Sequence, residues 1–221
     1  MDERGQTLSE QVHLALRESI VRGELPPGRR LLVLEIANAL EISQAPVREA
    51  LERLKQEGLL DSKSNKGSVV ADIRKEEIEE IYALRELIEW HAVRQCLPML
   101  RQSDLDELDA ICERMRNAAE SDDHFRFIDL DMDFHRFFFA KAGNRTILQL
   151  WDQITVKIKR FLAITNKLYF PDLLSIAEGH SPLIEALRAG DEAEIERRFI
   201  RHINEVWWRM DKSKDLQRTR R

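Results

Sequence analysis

The stretch Ser43-Gln44-Ala45-Pro46-Val47-Arg48-Glu49-Ala50-Leu51 decides how the first third of this chain folds. Ser43 is a good helix N-cap residue, and Pro46 falls in the first turn, where a missing N–H costs little. Val47, Ala50, Leu51 and Leu54 recur at helical spacing as a buried stripe. Gln44, Ala45 and Arg48 are left at the exposed N-terminal end, with Gln44 and Arg48 one turn apart on the same face. Arginine matches the two acceptors on a guanine edge and glutamine the adenine edge. Backbone N–H groups at a helix start favour phosphate.

Working outward, Glu41-Ile42 reads as a turn, preceded by a short helix that directs Ile36, Ala37 and Leu40 inward. Leu8, Val12, Ala15, Leu16 and Ile20 predict a first helix of roughly four turns. Gly23 and Pro26-Pro27-Gly28 end it. Downstream, Gly58 closes the third helix. Leu59–Ser62 and Ser68–Ala71 then read as short strands around Lys63-Ser64-Asn65-Lys66-Gly67. That order of parts predicts a winged helix-turn-helix over residues 1–72, with double-stranded DNA as partner. Its DNA-contacting set is Arg29, Ser43, Gln44, Ala45, Arg48, Lys66 and Gly67. The plainer alternative is a small helical bundle carrying a surface hairpin.

Bulk charge does not argue for nucleic acid. Residues 1–70 hold 10 Lys/Arg against 11 Asp/Glu, and the whole chain has a formal net charge of −5. A DNA-binding role therefore rests on local placement of Arg29, Arg30, Arg48, Lys63 and Lys66. The basic residues of the last ten positions, Lys212 to Arg221, are given no role. Cys96 and Cys112 are isolated, which fits a reducing compartment rather than a disulfide framework. With no apolar signal core and no stretch long enough to span a bilayer, the expected location is cytoplasmic, without a membrane partner.

The first 70 residues resemble the GntR family of bacterial transcription regulators. The matching elements are Ile20…Gly23-Glu24-Leu25…Pro27-Gly28…Leu31, Ser43…Pro46-Val47-Arg48-Glu49-Ala50-Leu51, Leu54…Gly58-Leu59 and Gly67…Val69. One departure is Gln44, where that family commonly has arginine; it puts the preferred operator sequence in question.

Residues 73–221 read as a second, all-α domain. Helical patterns run over 75–97, 104–120, 123–142, 146–168, 172–189 and 192–211, punctuated by Pro98, Gly143, Pro171 and Gly190. Three apolar stripes carry polar interruptions: Ile128-Asp131-His135-Phe138-Ala142, Leu173-Ala177-His180-Ile184-Leu187, and Ile195-Phe199-His202-Val206. Asp129 and Asp133 face elsewhere, and His13, His91 and His124 are assigned no role. One histidine on such a stripe is usually a hydrogen-bonded core residue. Three of them with a carboxylate suit a shared divalent cation, which removes the cost of burying all four groups. Nitrogen-rich ligands favour zinc, nickel, manganese or iron over calcium. Arg85 also breaks an apolar stripe, either as an internal salt bridge to Glu89 or as a clamp on an acidic effector.

This region resembles the FCD effector-binding domain of FadR-like GntR regulators. The resemblance rests on Arg85 with Glu89, Asp131 with Phe134-His135, Ala142-Gly143-Asn144, His180 with Ile184-Ala186-Leu187, and His202. It implies metal ligands at Asp131, His135, His180 and His202, a small organic acid as effector, and a homodimer on a palindromic operator. Arg85 and Asn144 are the expected effector-binding residues. The resulting expectation is a mainly α, ligand-responsive regulator, more often a repressor. The rivals are a helical metalloenzyme using the same four ligands and a direct metal sensor. The chain holds no GxSxG, HExxH or P-loop pattern to favour the enzyme.

Overall fold

A computed structural model describes residues 7–63, 67–72, 74–170 and 172–218, with residues 63, 164, 167–169 and 211–218 described by backbone alone. The chain forms two compact units, Met1–Arg74 and Lys75–Arg221.

In the first unit, α1 (Leu8–Val21) is capped by Thr7, whose side chain accepts from Glu10 N. It packs on α3 (Gln44–Gln56), and α2 (Val33–Ala39) also meets α3. The stripe of α3 is fully inside: Val47, Ala50, Leu51 and Leu54 are all buried. Burial of such aliphatic side chains stabilises by about 1.5–3 kcal/mol each, and this stripe is what aims the opposite face outward. Three expected inward residues are not inward. Leu40 is exposed because α2 stops at Ala39, leaving Leu40 as its C-cap, and Leu8 and Ala15 lie outside a narrower α1 stripe of Ser9, Val12 and Ile20.

The wing has one strand more than the sequence suggested. Strands β1 (Arg30–Leu31), β2 (Leu60–Lys63) and β3 (Gly67–Val70) form an antiparallel sheet in the order β1-β3-β2. Leu60 stands opposite Val70 and Arg30 opposite Val69. Two residues are too short for alternation to reveal β1.

In the second unit, α4 (Lys75–Cys96), α5 (Gln102–Glu120), α6 (His124–Ala142), α7 (Arg145–Tyr169), α8 (Leu173–Glu178), α9 (Ser181–Ala189) and α10 (Glu192–Arg218) form a helical bundle. Helix α6 is its centre, packed on α4, α5 and α7. Its Phe127, Phe134, Phe138 and Phe139 build the core with Trp151 and Phe199. Gly143 ends α6 in the left-handed conformation, at φ 71°, which glycine adopts without strain.

One expected helix is two. The pattern over 172–189 breaks at Gly179-His180, so His180 is the N-cap of α9 rather than a mid-helix stripe residue. Pro182 is the cause: inside a helix it has no N–H to donate, and its ring collides with the carbonyl four residues back.

Candidate functional site

On α3, Ser43, Gln44, Ala45 and Arg48 are exposed as expected, and Arg48 Nη2 donates to Gln44 Oε1 at 2.6 Å. The pair pre-orders a donor-rich surface at the start of the helix. Ser43 occupies the N-cap position but makes no capping hydrogen bond. Its usual partner is the N–H of the third helical residue, and here that residue is Pro46. Arg29 is exposed beside the sheet and Gly67 is exposed at the start of β3, with the Arg29 carbonyl accepting from Val70 N at 2.8 Å. Lys66 lies outside the described residues, as do the side chains of the basic tail.

The sequence also left His13 without a partner, whereas its Nε2 lies 2.6 Å from Glu57 Oε1. Arg17 Nε donates to the other oxygen of Glu57 at 3.0 Å, so α1 grips the end of α3 through one carboxylate.

Inside the helical unit, Asp131, His135, His180 and His202 converge, each offering a ligand atom within 4.8 Å of the others. Asp131 and His135 come from adjacent turns of α6, His180 from the α8–α9 break and His202 from α10. Asp129 and Asp133 are exposed, and Asp129 pairs with Lys159. The His135 and His202 rings stack at 5.3 Å, and the His180 and His202 rings meet edge-on at 4.3 Å.

The protons of two rings are set by their outer partners. His180 Nδ1 lies 3.1 Å from the Ile176 carbonyl, an oxygen that can only accept, so Nδ1 carries the hydrogen. In the neutral ring Nε2 then holds a lone pair, and it faces Asp131 Oδ1 at 3.0 Å without an aligned hydrogen bond. Two lone pairs at that distance require a proton or a cation between them. His135 Nδ1 lies 2.6 Å from Glu89 Oε2, which likewise leaves its Nε2 toward the cluster without a partner. Glu89 is in turn bonded by Arg85 Nε.

The donor set fits a first-row divalent ion. Ligand bonds of about 2.0–2.2 Å span at most about 4.4 Å between opposite donors, so a few tenths of an ångström of closure completes the shell. A carboxylate behind a ligating imidazole is also the usual support of such sites.

Electrostatics follows burial. For Asp131, burial alone raises the carboxyl, but His180 and His135 in their protonated forms, with Arg85, outweigh it and hold it far below the usual range. Glu89 is also lowered: burial opposes ionisation, and Arg85 and His135 overcome it. His202 is depressed well below the ordinary histidine value, first by burial and then by the two neighbouring imidazoles. It is therefore neutral near pH 7, the form that binds metal.

A cavity of about 40 Å³ adjoins the cluster, lined among others by Tyr82, Arg85, Asp131, Asn166, His202 and Glu205. Arg85 thus bonds Glu89 and also borders the cavity, so its two sequence readings are compatible. Asn144 is not brought there: it is the exposed N-cap of α7, its Oδ1 accepting from Ile147 N at 3.2 Å, and it borders a separate cleft with His91 and Phe139. Asn166 was missed, although it interrupts an apolar stripe of α7 after Leu162, the same kind of polar interruption that revealed the histidines.

A winged helix-turn-helix unit and a helical unit with a buried Asp/His₃ cluster define a class of ligand-sensing DNA-binding proteins. Residues 8–70 match the model of the bacterial regulatory proteins, gntR family, and residues 80–205 match the FCD domain. The chain belongs to the GntR family, in its FCD-containing branch, and is a transcription regulator rather than an enzyme. It is 30% identical over 197 residues to a probable D-xylose utilization operon transcriptional repressor of Paenarthrobacter nicotinovorans, covering 89% of this chain and 86% of that one. It is 27% identical to the HTH-type transcriptional repressor RspR of Escherichia coli, covering 91% and 88%. The solved structure of E. coli McbR/YncC superposes with a TM-score of 0.76 at 24% identity, over 94% of this chain and 99% of that one. Among the described residues no helix is long and apolar enough to cross a membrane.

Proposed function

We propose that this protein is a homodimeric, metal-dependent transcriptional repressor whose DNA affinity is set by a small organic acid. Asp131, His135, His180 and His202 hold a divalent transition metal, from the set zinc, nickel, manganese and iron. The observation that carries this reading is the pair of imidazole Nε2 atoms left without aligned partners beside a buried carboxylate. One cation satisfies them together, whereas separate protons would charge adjacent buried rings. When bound, the ion supplies Lewis acidity for a carboxylate ligand. Arg85, bordering the cavity, adds positive charge for the same group.

RspR is described as a repressor and the Paenarthrobacter nicotinovorans relative as a probable one, which supports the same sign of control here. In a dimer, two copies of the α3 surface address a palindrome, with Gln44, Ala45 and Arg48 toward the major groove and Arg29, Ser43, Lys66 and Gly67 toward phosphate and minor groove. Such a protein works in the cytoplasm, where the operator is. The acid acts by binding unequally to the DNA-competent and DNA-free states.

A mobility-shift titration on the gene's own upstream region tests the proposal. The expected result is a sequence-specific shift by the metal-loaded protein, released by a small organic acid, with light scattering giving twice the chain mass. No specific shift at moderate salt refutes it. A shift that follows metal alone, unmoved by any acid, establishes the direct metal sensor instead.

A further inference from the structure

The cavity beside the cluster holds two buried polar groups that the metal reading does not use. Tyr82 is 2% exposed, and its Oη has no aligned hydrogen-bond partner, although the Arg85 guanidinium lies beside it. Asn166 is 4% exposed. Both border the same cavity. Burying a phenol without an aligned partner is costly, so its placement on a ligand space that also borders the Asn166 amide points to groups on the ligand. Burial pushes the Tyr82 hydroxyl up to about 12, so it keeps its proton and remains a donor.

Charge narrows the ligand further. Arg85 is matched by Glu89, and Glu205 at the cavity wall by Arg209 at 2.7 and 3.0 Å. Asp131 is the remaining fixed charge bordering the cavity, and with a divalent ion it leaves a surplus of one positive charge. One carboxylate neutralises that; two overshoot it. Size narrows it as well. The cavity is small, at about 40 Å³, which favours a compact acid over an extended one.

We propose that Tyr82 and Asn166 are the specificity-determining residues of the effector pocket, reading hydroxyl groups on a compact hydroxylated monocarboxylic acid. This rests on the effector reading above. The carboxylate goes toward the ion and Arg85, and the hydroxyls meet the Tyr82 phenol and the Asn166 amide. Leu162, Phe170 and Val206 line the remaining wall. A site built this way rejects the deoxy analogue, because the analogue leaves both buried groups unpaired.

Calorimetric titration of the full-length, zinc-loaded protein with glycerate, lactate, propionate and succinate tests this. Glycerate is expected to bind at least about tenfold tighter than propionate, with lactate between and succinate weaker than glycerate. Tyr82→Phe and Asn166→Leu each bring the glycerate-to-propionate ratio toward one, with zinc content unchanged. Equal binding of glycerate and propionate by the wild-type protein overturns the hydroxyl assignment while leaving the carboxylate reading standing. So does a ratio that survives in both variants. Succinate binding more tightly than glycerate overturns the single-carboxylate assignment. Failure of all four acids to bind overturns the effector reading, and this one with it. The wild-type ratio decides the matter even if a variant fails to fold.

Discussion

The two units carry their functional residues in opposite ways. On α3, Gln44, Ala45 and Arg48 are exposed, and Arg48 and Gln44 bond each other. In the helical unit Asp131, His135 and His180 are buried, and both histidines are fixed by a second partner, Glu89 or the Ile176 carbonyl. An exposed reading surface stays solvated until DNA arrives, so its residues cost little to keep. A buried polar cluster is unfavourable until something satisfies it, so its residues need supporting partners. The first kind of site tolerates substitution structurally; the second does not.

Four measurements sharpen or break that contrast, beginning with the largest effect. Asp131→Ala removes the only carboxylate of the ligand set. Metal content measured by mass spectrometry is expected to fall from about one ion per chain to near zero, with loss of the metal-dependent rise in Tm. Retention of a full complement of metal would remove the contrast altogether. Glu89→Gln leaves all four ligands but alters the partner of His135 Nδ1. A fall of about 10–100-fold in metal affinity is expected, with no change in operator contacts by footprinting.

Arg48→Ala acts on the other unit alone. Specific operator binding weakens by about 1–3 kcal/mol with relaxed base preference, while Tm and metal content stay where they were. An unchanged base preference in a binding-site selection would remove Arg48 from the groove.

The smallest effect is at the start of α5, where Asp104 accepts from Lys141 Nζ at 2.7 Å and from Arg101 N at 2.8 Å. These hydrogen bonds, Lys141 first, hold its carboxyl below the usual range. A lowered folded-state pKa adds stability above the unfolded value near 4, and that stability is lost as pH falls through the folded value. Asp104→Asn is therefore expected to lower Tm modestly at pH 7, with the difference from wild type closing below about pH 4. A difference that does not vary with pH would assign the role of Asp104 to its shape alone.

How far the sequence was legible depends on the range of the interaction. The α3 stripe, its exposed face and the wing hairpin come from neighbours within a few residues, and spacing exposes them. The four cluster residues were also legible, because polar side chains on apolar stripes violate local amphipathicity. What spacing missed had other causes. Strand β1 is two residues long, the helix break before His180 is enforced by Pro182, and the Ser43 cap is cancelled by Pro46 two residues inside the helix. The α1–α3 grip of His13 and Arg17 on Glu57 spans some forty residues and leaves no periodic trace.

The amino-acid order alone therefore determined which residues face water on α3 and which polar groups interrupt the stripes of Asp131, His135 and His202, because helix periodicity is set within one or two turns. Only the packing of α4, α6, α8 and α10 decided that three imidazoles and a carboxylate meet within 4.8 Å, with Glu89 behind one ring and Tyr82 and Asn166 around the adjoining space. Those distances depend on how separate helices stack in three dimensions, and no local spacing rule contains them.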